Sequence, residues 1–348
     1  MPPQAPLAPP LARRLRTSLR YGISALVTLG FLYLAFRGTD FGKLVQTIAT
    51  ANYWWILLSL VVLMLSHLLR AWRWRYLMNP IKAGIGLRNL FSGVMIGYLV
   101  SNGIPRGGEI ARPYVLGKLE SLSKSAAFGT IVVERIIDVF SFLVLVMLLP
   151  VLYKGPLWET FPWLKTGGIM VSVATGTLLL ILALLMVRRD WTDALLRLAT
   201  PLLPRWVASR AAARVHSFLD GFLFLKDPGQ TVAILLLSVL IWFAYAVMTY
   251  VAFFAFNLQA VLDFRASVVL LTLSSVGIAI PTPGGTGSYH ALASQTLVKL
   301  FAVDPAVALS YATLAHAVGF IGVTIVGSYY LFRDNVTVSD AVRSGQGG

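Results

Sequence analysis

Residues 231–256, TVAILLLSVLIWFAYAVMTYVAFFAF, contain no charged side chain. About 20 such residues in a helix cross the roughly 30 Å hydrocarbon core of a bilayer, and a water-soluble fold has no use for so long a run. Further strong apolar segments lie at 21–36, 53–69, 127–151, 168–187 and 307–331. With 57% hydrophobic and only 12% charged residues over 348 positions, they exclude a soluble globular domain. The fold class expected is an all-α polytopic integral membrane protein.

The start of the chain, MPPQAPLAPPLARRLRTSLR, is Pro-rich and then basic, as signal peptides can be. No small-x-small cleavage site follows the apolar run 21–36, so the run is expected to stay as a first span. The chain has no cysteine, which removes disulfides and thiol chemistry from consideration. Its net charge of +15 is clustered, and in a membrane protein clustering reports topology and anionic headgroups before nucleic acid.

Two weaker apolar segments, 89–104 and 267–280, run into Pro/Gly breaks and are short for a crossing. Charge decides what they do. Lys and Arg number four in 13–20, five in 70–88, three in 112–124 and seven in 188–226, against two in 37–43, two in 154–165 and one in 257–266. If 89–104 dips in and returns, all four rich regions fall on the cytoplasmic side. The same logic makes 267–301 a re-entrant pair from the opposite side. The expectation is therefore about six full spans plus two re-entrant helical hairpins in an inverted-topology repeat, a pattern that points to a transporter's central site. The domain plan is a basic cytoplasmic tail (1–20), one transmembrane domain (21–332) and a cytoplasmic tail (333–348). The transmembrane halves are about 21–151 and 168–332, with a cytoplasmic amphipathic segment at 188–229 that attracts anionic lipid. Both termini face the cytoplasm of the cell (inner) membrane.

The first break reads NGIPRGGEIARP. Pro105, Gly107 and Gly108 are expected to stop the helix and turn the chain, and Pro113 to break it again. Arg106, Glu109 and Arg112, spaced by three, would share a helical face, and Asn102 stands just before them. One acid between two bases leaves positive charge to spare, and the guanidinium fork suits phosphate. Downstream, VVERIIDV places Glu134, Arg135 and Asp138 near the start of an apolar span. Ionisable groups there face a cavity or one another, so Glu134 and Asp138 are expected to pair with Arg106 or Arg112. Whether the cluster binds ligand or only locks the hairpin stays open at this level.

The second break, AIPTPGGTGSYHALA, repeats the device without charge. Pro281, Pro283, Gly284, Gly285 and Gly287 unwind the chain, and Ser288 opens a half-helix whose exposed N–H groups can hold an anion. Tyr289 and His290 sit in its first turn, and His316 lies in the last span as a candidate proton-linked partner. No third ligand is spaced to join the histidines on a metal, and no cofactor is expected. His67 and His216 are read as non-functional, and WRWRYLM after the second span as an aromatic belt with snorkelling arginines.

At NGIPRGGEIARPYVL, VVERIIDV and PTPGGTGSYHA, the order and spacing resemble the flippase-like family of the lysylphosphatidylglycerol synthase transmembrane region. The likeness runs from the first span to about residue 332. It implies inverted halves, re-entrant segments and movement of lipids or lipid-linked intermediates between leaflets. Many relatives carry glutamate where this chain has His290. Synthases of the family add a soluble transferase domain, absent from the 348 residues, so the synthase activity is not expected. The function expected is a membrane lipid transporter, not an enzyme, moving an anionic phospholipid or a lipid-linked (polyprenyl) phosphate. The alternatives are a membrane-embedded transferase acting on a lipid phosphate, a proton-coupled small-solute transporter, or an accessory subunit. Expected partners are anionic lipids, without nucleic acid, and homo-oligomerisation is left open.

Overall fold

The computed structural model describes residues 11–187 and 227–337. The surface helices expected over 191–225, together with His216 and the tails before 11 and after 337, lie outside the described residues. Twelve α-helices and no strand occur among the described residues. They are α1 (Leu11–Phe36), α2 (Phe41–Ala49), α3 (Tyr53–Met78), α4 (Leu87–Gly103), α5 (Gly108–Glu120), α6 (Lys124–Leu152), a single turn α7 (Leu157–Thr160), α8 (Pro162–Val187), α9 (Pro228–Phe254), α10 (Phe264–Ala279), α11 (Ser288–Phe301) and α12 (Pro305–Arg333).

Local chemistry explains most of the starts. Asp40, Asn52, Ser123, Asp227, Asp263 and Asp304 each accept a backbone N–H of the first turn of α2, α3, α6, α9, α10 and α12. Such caps satisfy donors that have no partner within the helix. Pro228 and Pro305 follow their caps, where a missing N–H costs nothing.

Four helices, α3, α6, α9 and α12, are long and apolar enough to cross a membrane, and α1 with α2 adds a fifth if that pair, bent by 89°, counts as one span. Their outward faces carry large apolar side chains such as Leu57, Met147, Val239 and Ile325, exposed by 50%, 77%, 67% and 64%. A water-facing surface does not tolerate a belt of that kind.

Two antiparallel helical hairpins complete the body. In α4–α5, Ser101 Oγ accepts the Gly108 N–H at 3.0 Å. A side chain at Gly108 would strike the Gly97 carbonyl, and one at Gly97 would strike Arg112. In α10–α11, Ser288 Oγ donates to the Gly277 carbonyl at 2.6 Å, and a Cβ on Gly277 would stand 2.7 Å from the Ser288 carbonyl oxygen. Between apolar helices in lipid, close backbone approach over small residues is what holds packing together. Along the body α3 packs on α9, α4 on α12 and α10 on α6.

Two of the buried clusters join most of these helices. Trp74, Leu90, Val94, Leu116, Ile131 and Ile234 join α3, α4, α5, α6 and α9. Phe253, Leu270, Leu297 and Tyr311 join α9 to α12, with Tyr311 donating to the Thr249 carbonyl at 3.1 Å.

Two sequence expectations are corrected here. Pro113 does not break the chain again: it is buried inside α5, which continues to Glu120. Proline sacrifices one backbone bond, to the carbonyl four residues earlier, and the packing of α5 on α4 and α6 outweighs that loss. The turn at the first break is also not made by its glycines. Arg106 takes the left-handed conformation, φ 59°, while Gly107 has φ −60°, open to any residue. Gly107 and Gly108 are small for a different reason: side chains there would meet Val100 and the α4 backbone.

Candidate functional site

Polar residues on α3 recur at helical spacing. Ser59, Ser66, His67, Arg70 and Arg73 are all buried, on a helix whose other faces are apolar. Arg70 and Arg73 meet the acidic pair of α6. Arg70 Nη1 lies 2.6 Å from Glu134 Oε1 and 2.8 Å from Asp138 Oδ2, and Arg73 Nη2 lies 2.7 Å from Asp138 Oδ1. From α5, Arg112 grips Glu134 with both prongs, at 2.8 and 2.9 Å, and its guanidinium lies 4.4 Å over the Trp74 ring. Arg135 Nη2 closes the group at 2.8 Å from Glu134 and 3.3 Å from Asp138. Helix α9 supplies the outer wall: Arg73 donates to Ser238 Oγ at 2.9 Å and Arg70 to Tyr245 OH at 3.2 Å.

Four guanidiniums thus surround two carboxylates, a formal surplus of two positive charges. Arg70, Arg73 and Arg112 are enclosed, and Arg135, with its side chain 40% exposed, forms the open rim. The group is short of acceptors. Glu134 Oε1 alone serves Arg70, Arg112 and Arg135, and the Nε of all four arginines is buried without a partner. A buried charge is tolerated only when paired and hydrogen-bonded, and a cationic surplus of this kind has the chemistry that an anion complements.

This places the expected residues of the first motif unequally. Arg112, Glu134, Arg135 and Asp138 come together as one network. Arg106 and Glu109 do not join it: neither side chain makes an ion pair or hydrogen bond among the described residues, and Arg106 is exposed at the tip of the hairpin. Arg70 and Arg73 were missed. Arg73, expected to snorkel, is fully buried, because α3 runs on to Met78 and carries it inside the core. Their spacing of three, one turn beyond His67, is the signal that could have found them.

The second motif gathers around the 3-10 turn Pro283–Gly285. Ser288 Oγ sits 3.0 Å from Thr282 Oγ1. Gly287 N–H donates to His290 Nδ1 at 3.3 Å, so His290 reaches back to the start of its own helix as the third residue of a capping box does. His316 Nε2 lies 2.9 Å from the Gly284 carbonyl; a carbonyl only accepts, so this nitrogen carries the proton. The rings of His290 and His316 are 4.7 Å apart, with Tyr289 5.5 Å from His316. Gly284, at φ 57°, has no room for a side chain, which would meet the Phe320 ring and come within 3.2 Å of Asn102 Oδ1. Asn102 in turn donates to the Phe320 carbonyl at 3.2 Å and to Thr324 Oγ1 at 3.1 Å. The breaks of the two hairpins therefore meet at α12, and Asn102 is the residue that joins them.

Between α3, α4 and α12 runs an apolar groove of about 490 Å³, lined by Met64, Leu65, Leu68, Phe91 and Tyr330, with Arg88 at one end. No group of three His, Asp or Glu side chains among the described residues is placed to hold a metal ion.

The family model described as the lysylphosphatidylglycerol synthase TM region matches residues 21–327. Among curated proteins, similar chains are described as UPF0104 membrane proteins. That of Methanocaldococcus jannaschii is 22% identical over 320 residues, covering 87% of this chain and 92% of the relative. That of Methanothermobacter thermautotrophicus is 25% identical, with 82% and 87% covered, and that of Pyrococcus horikoshii 24% identical, with 88% and 95% covered. No solved structure matches the chain.

Proposed function

Since the chain belongs to the family of the lysylphosphatidylglycerol synthase transmembrane region, and since it buries a cationic surplus between its helices, we propose that it moves an anionic phospholipid or a lipid-linked phosphate between leaflets. The observation that carries this reading is the four-arginine, two-acid network with its unpartnered Nε groups. The headgroup enters past Arg135, the exposed rim of the network, and its charge meets Arg70 and Arg112 within. Its acyl chains stay in lipid, along the exposed apolar faces of the spanning helices. The uncharged break around Gly284 and Ser288 is a second polar station, with His290 and His316 as its proton-linked partners. No covalent step is part of this role; the protein is a carrier and not an enzyme.

In this reading the hairpins α4–α5 and α10–α11 are re-entrant from opposite sides, α1 and α8 complete six spans, and the halves form an inverted repeat. The matched packing of α4 on α12 and α10 on α6 supports it. The termini then face the cytoplasm across the cell membrane. A charge reporter at residue 200 is expected inside and one at residue 158 outside; residue 200 outside would end the re-entrant reading.

The functional test is leaflet-resolved transport of phosphorylated lipids in proteoliposomes. Wild type is expected to move an anionic lipid faster than protein-free vesicles. Arg135→Gln is expected to lose most of that rate with a smaller drop in melting temperature than the same change at Arg70, Arg73 or Arg112, because Arg135 is the least enclosed arginine of the four. Equal, slow movement of every lipid by both proteins would refute transport.

A further inference from the structure

His67 was set aside at the level of sequence, yet its surroundings are unusual. It is 4% exposed, stacks on Tyr98 with ring centroids 4.5 Å apart, and neither of its ring nitrogens has a hydrogen-bond partner. A neutral imidazole has one N–H to give and one lone pair to fill, and leaving both empty in a buried site is costly. The charged groups facing it are Arg70, one turn along α3, and Arg112 of α5. Tyr98 faces the same Arg70, Arg112 and Arg135, with Tyr245 of α9 opposite. His67 is therefore the uncharged end of the cationic network, and its free donor adds to those of the four Nε groups.

We infer that the network is built for a terminal phosphate monoester rather than for the phosphodiester of an ordinary phospholipid. The inference rests on the reading of this network as a headgroup site, and it names the chemistry of that headgroup. Charge comes first. Two carboxylates against four guanidiniums leave a surplus of two, and a phosphate monoester carries about −1.5 to −2 near neutral pH. A phosphodiester carries one charge and would leave one of the two surplus charges unmatched. Acceptors come second. A monoester presents three terminal oxygens and a diester two, and the guanidinium Nε groups lack acceptors. His67 supplies the local discrimination: its N–H takes the third oxygen. Phosphatidic acid, a polyprenyl monophosphate and inorganic phosphate share this chemistry. The exposed apolar faces of the spanning helices favour the lipid forms.

The test compares phosphatidic acid with phosphatidylglycerol of identical acyl chains, each titrated against purified protein in neutral-lipid nanodiscs, with inorganic phosphate as competitor. The monoester is expected to bind at least about tenfold tighter, as one extra unit charge at close range warrants even when well screened. His67→Phe keeps a ring against Tyr98 and is expected to fold. It should reduce the preference to about threefold or less, chiefly by weakening the monoester. Equal affinity of wild type for the two lipids would overturn the inference, as would an unchanged preference in a folded His67→Phe. Displacement of phosphatidic acid by inorganic phosphate at equal concentration would overturn the lipid source. Selective binding without leaflet exchange would sustain the monoester site and refute transport; exchange without selectivity would do the reverse.

Discussion

The two hairpins are closed by the same means and used differently. In α4–α5 and in α10–α11 a serine hydroxyl bonds a glycine backbone group across the pair, and glycine lets the two helices touch. Behind the first hairpin stand four guanidiniums and two carboxylates; behind the second stand two imidazoles and a backbone carbonyl. Geometry is shared and charge is not. A fold can thus repeat a backbone device while concentrating its electrostatic work at one copy, where every charged member depends on the others.

Substitutions separate these contributions. The largest effect is expected for Glu134→Gln, which leaves Arg112 and Arg70 facing each other without their shared anion; breaking a buried pair costs about 3–5 kcal/mol. Thermal unfolding in detergent should show a loss larger than for any single change at the second hairpin, and a smaller loss would mean that the network is dispensable. Next come Gly108→Ala and Gly277→Ala, each forcing a methyl into backbone of the facing helix at about 1–3 kcal/mol. These two should be alike, since the packing device is the same; a large difference would break the comparison at its geometric root. His316→Phe removes the donor to the Gly284 carbonyl and is expected to cost about 1–2 kcal/mol, well below Glu134→Gln.

The smallest effect lies outside the spans. Asp304, the cap of α12, has its carboxyl held below the usual carboxylate range by the bond from Lys43 Nζ at 2.6 Å and by its backbone bonds to α12. A lowered folded pKa contributes stability above the unfolded value of about 3.9 and loses it as pH falls through the folded value. Both side chains are near half exposed, at 50% and 42%, so after solvent screening Asp304→Asn should cost only a few tenths of a kcal/mol at pH 7. The difference should shrink as pH falls below the usual carboxylate range, in unfolding measured across pH.

Much of this was legible in the chain itself. The long apolar runs mark the spans, the Pro/Gly breaks mark both hairpin turns, and the acids of VVERIIDV are where intramembrane charge was expected to gather. The partners were harder to read, because pairing across 64 residues, from Arg70 to Glu134, leaves no local trace. Arg73 was misread because a basic residue flanked by tryptophans at the end of an apolar run has the composition of an interfacial belt. Only the extra turns of α3 turn it inward, and helix length is set by packing against α9 and α4 as much as by hydropathy. Asn102 was found for its place beside the break, while its role in joining the two tips depends on α12, more than 200 residues away.

At the tip of the first hairpin, Arg106 holds a left-handed backbone that glycine would adopt without strain, and glycines stand immediately after it where φ does not demand them. Backbone and side chain ask for different residues at this position. A selection for heat resistance alone would drift toward glycine there, and the variants it enriched would be missing the guanidinium most open to the surroundings of the tip.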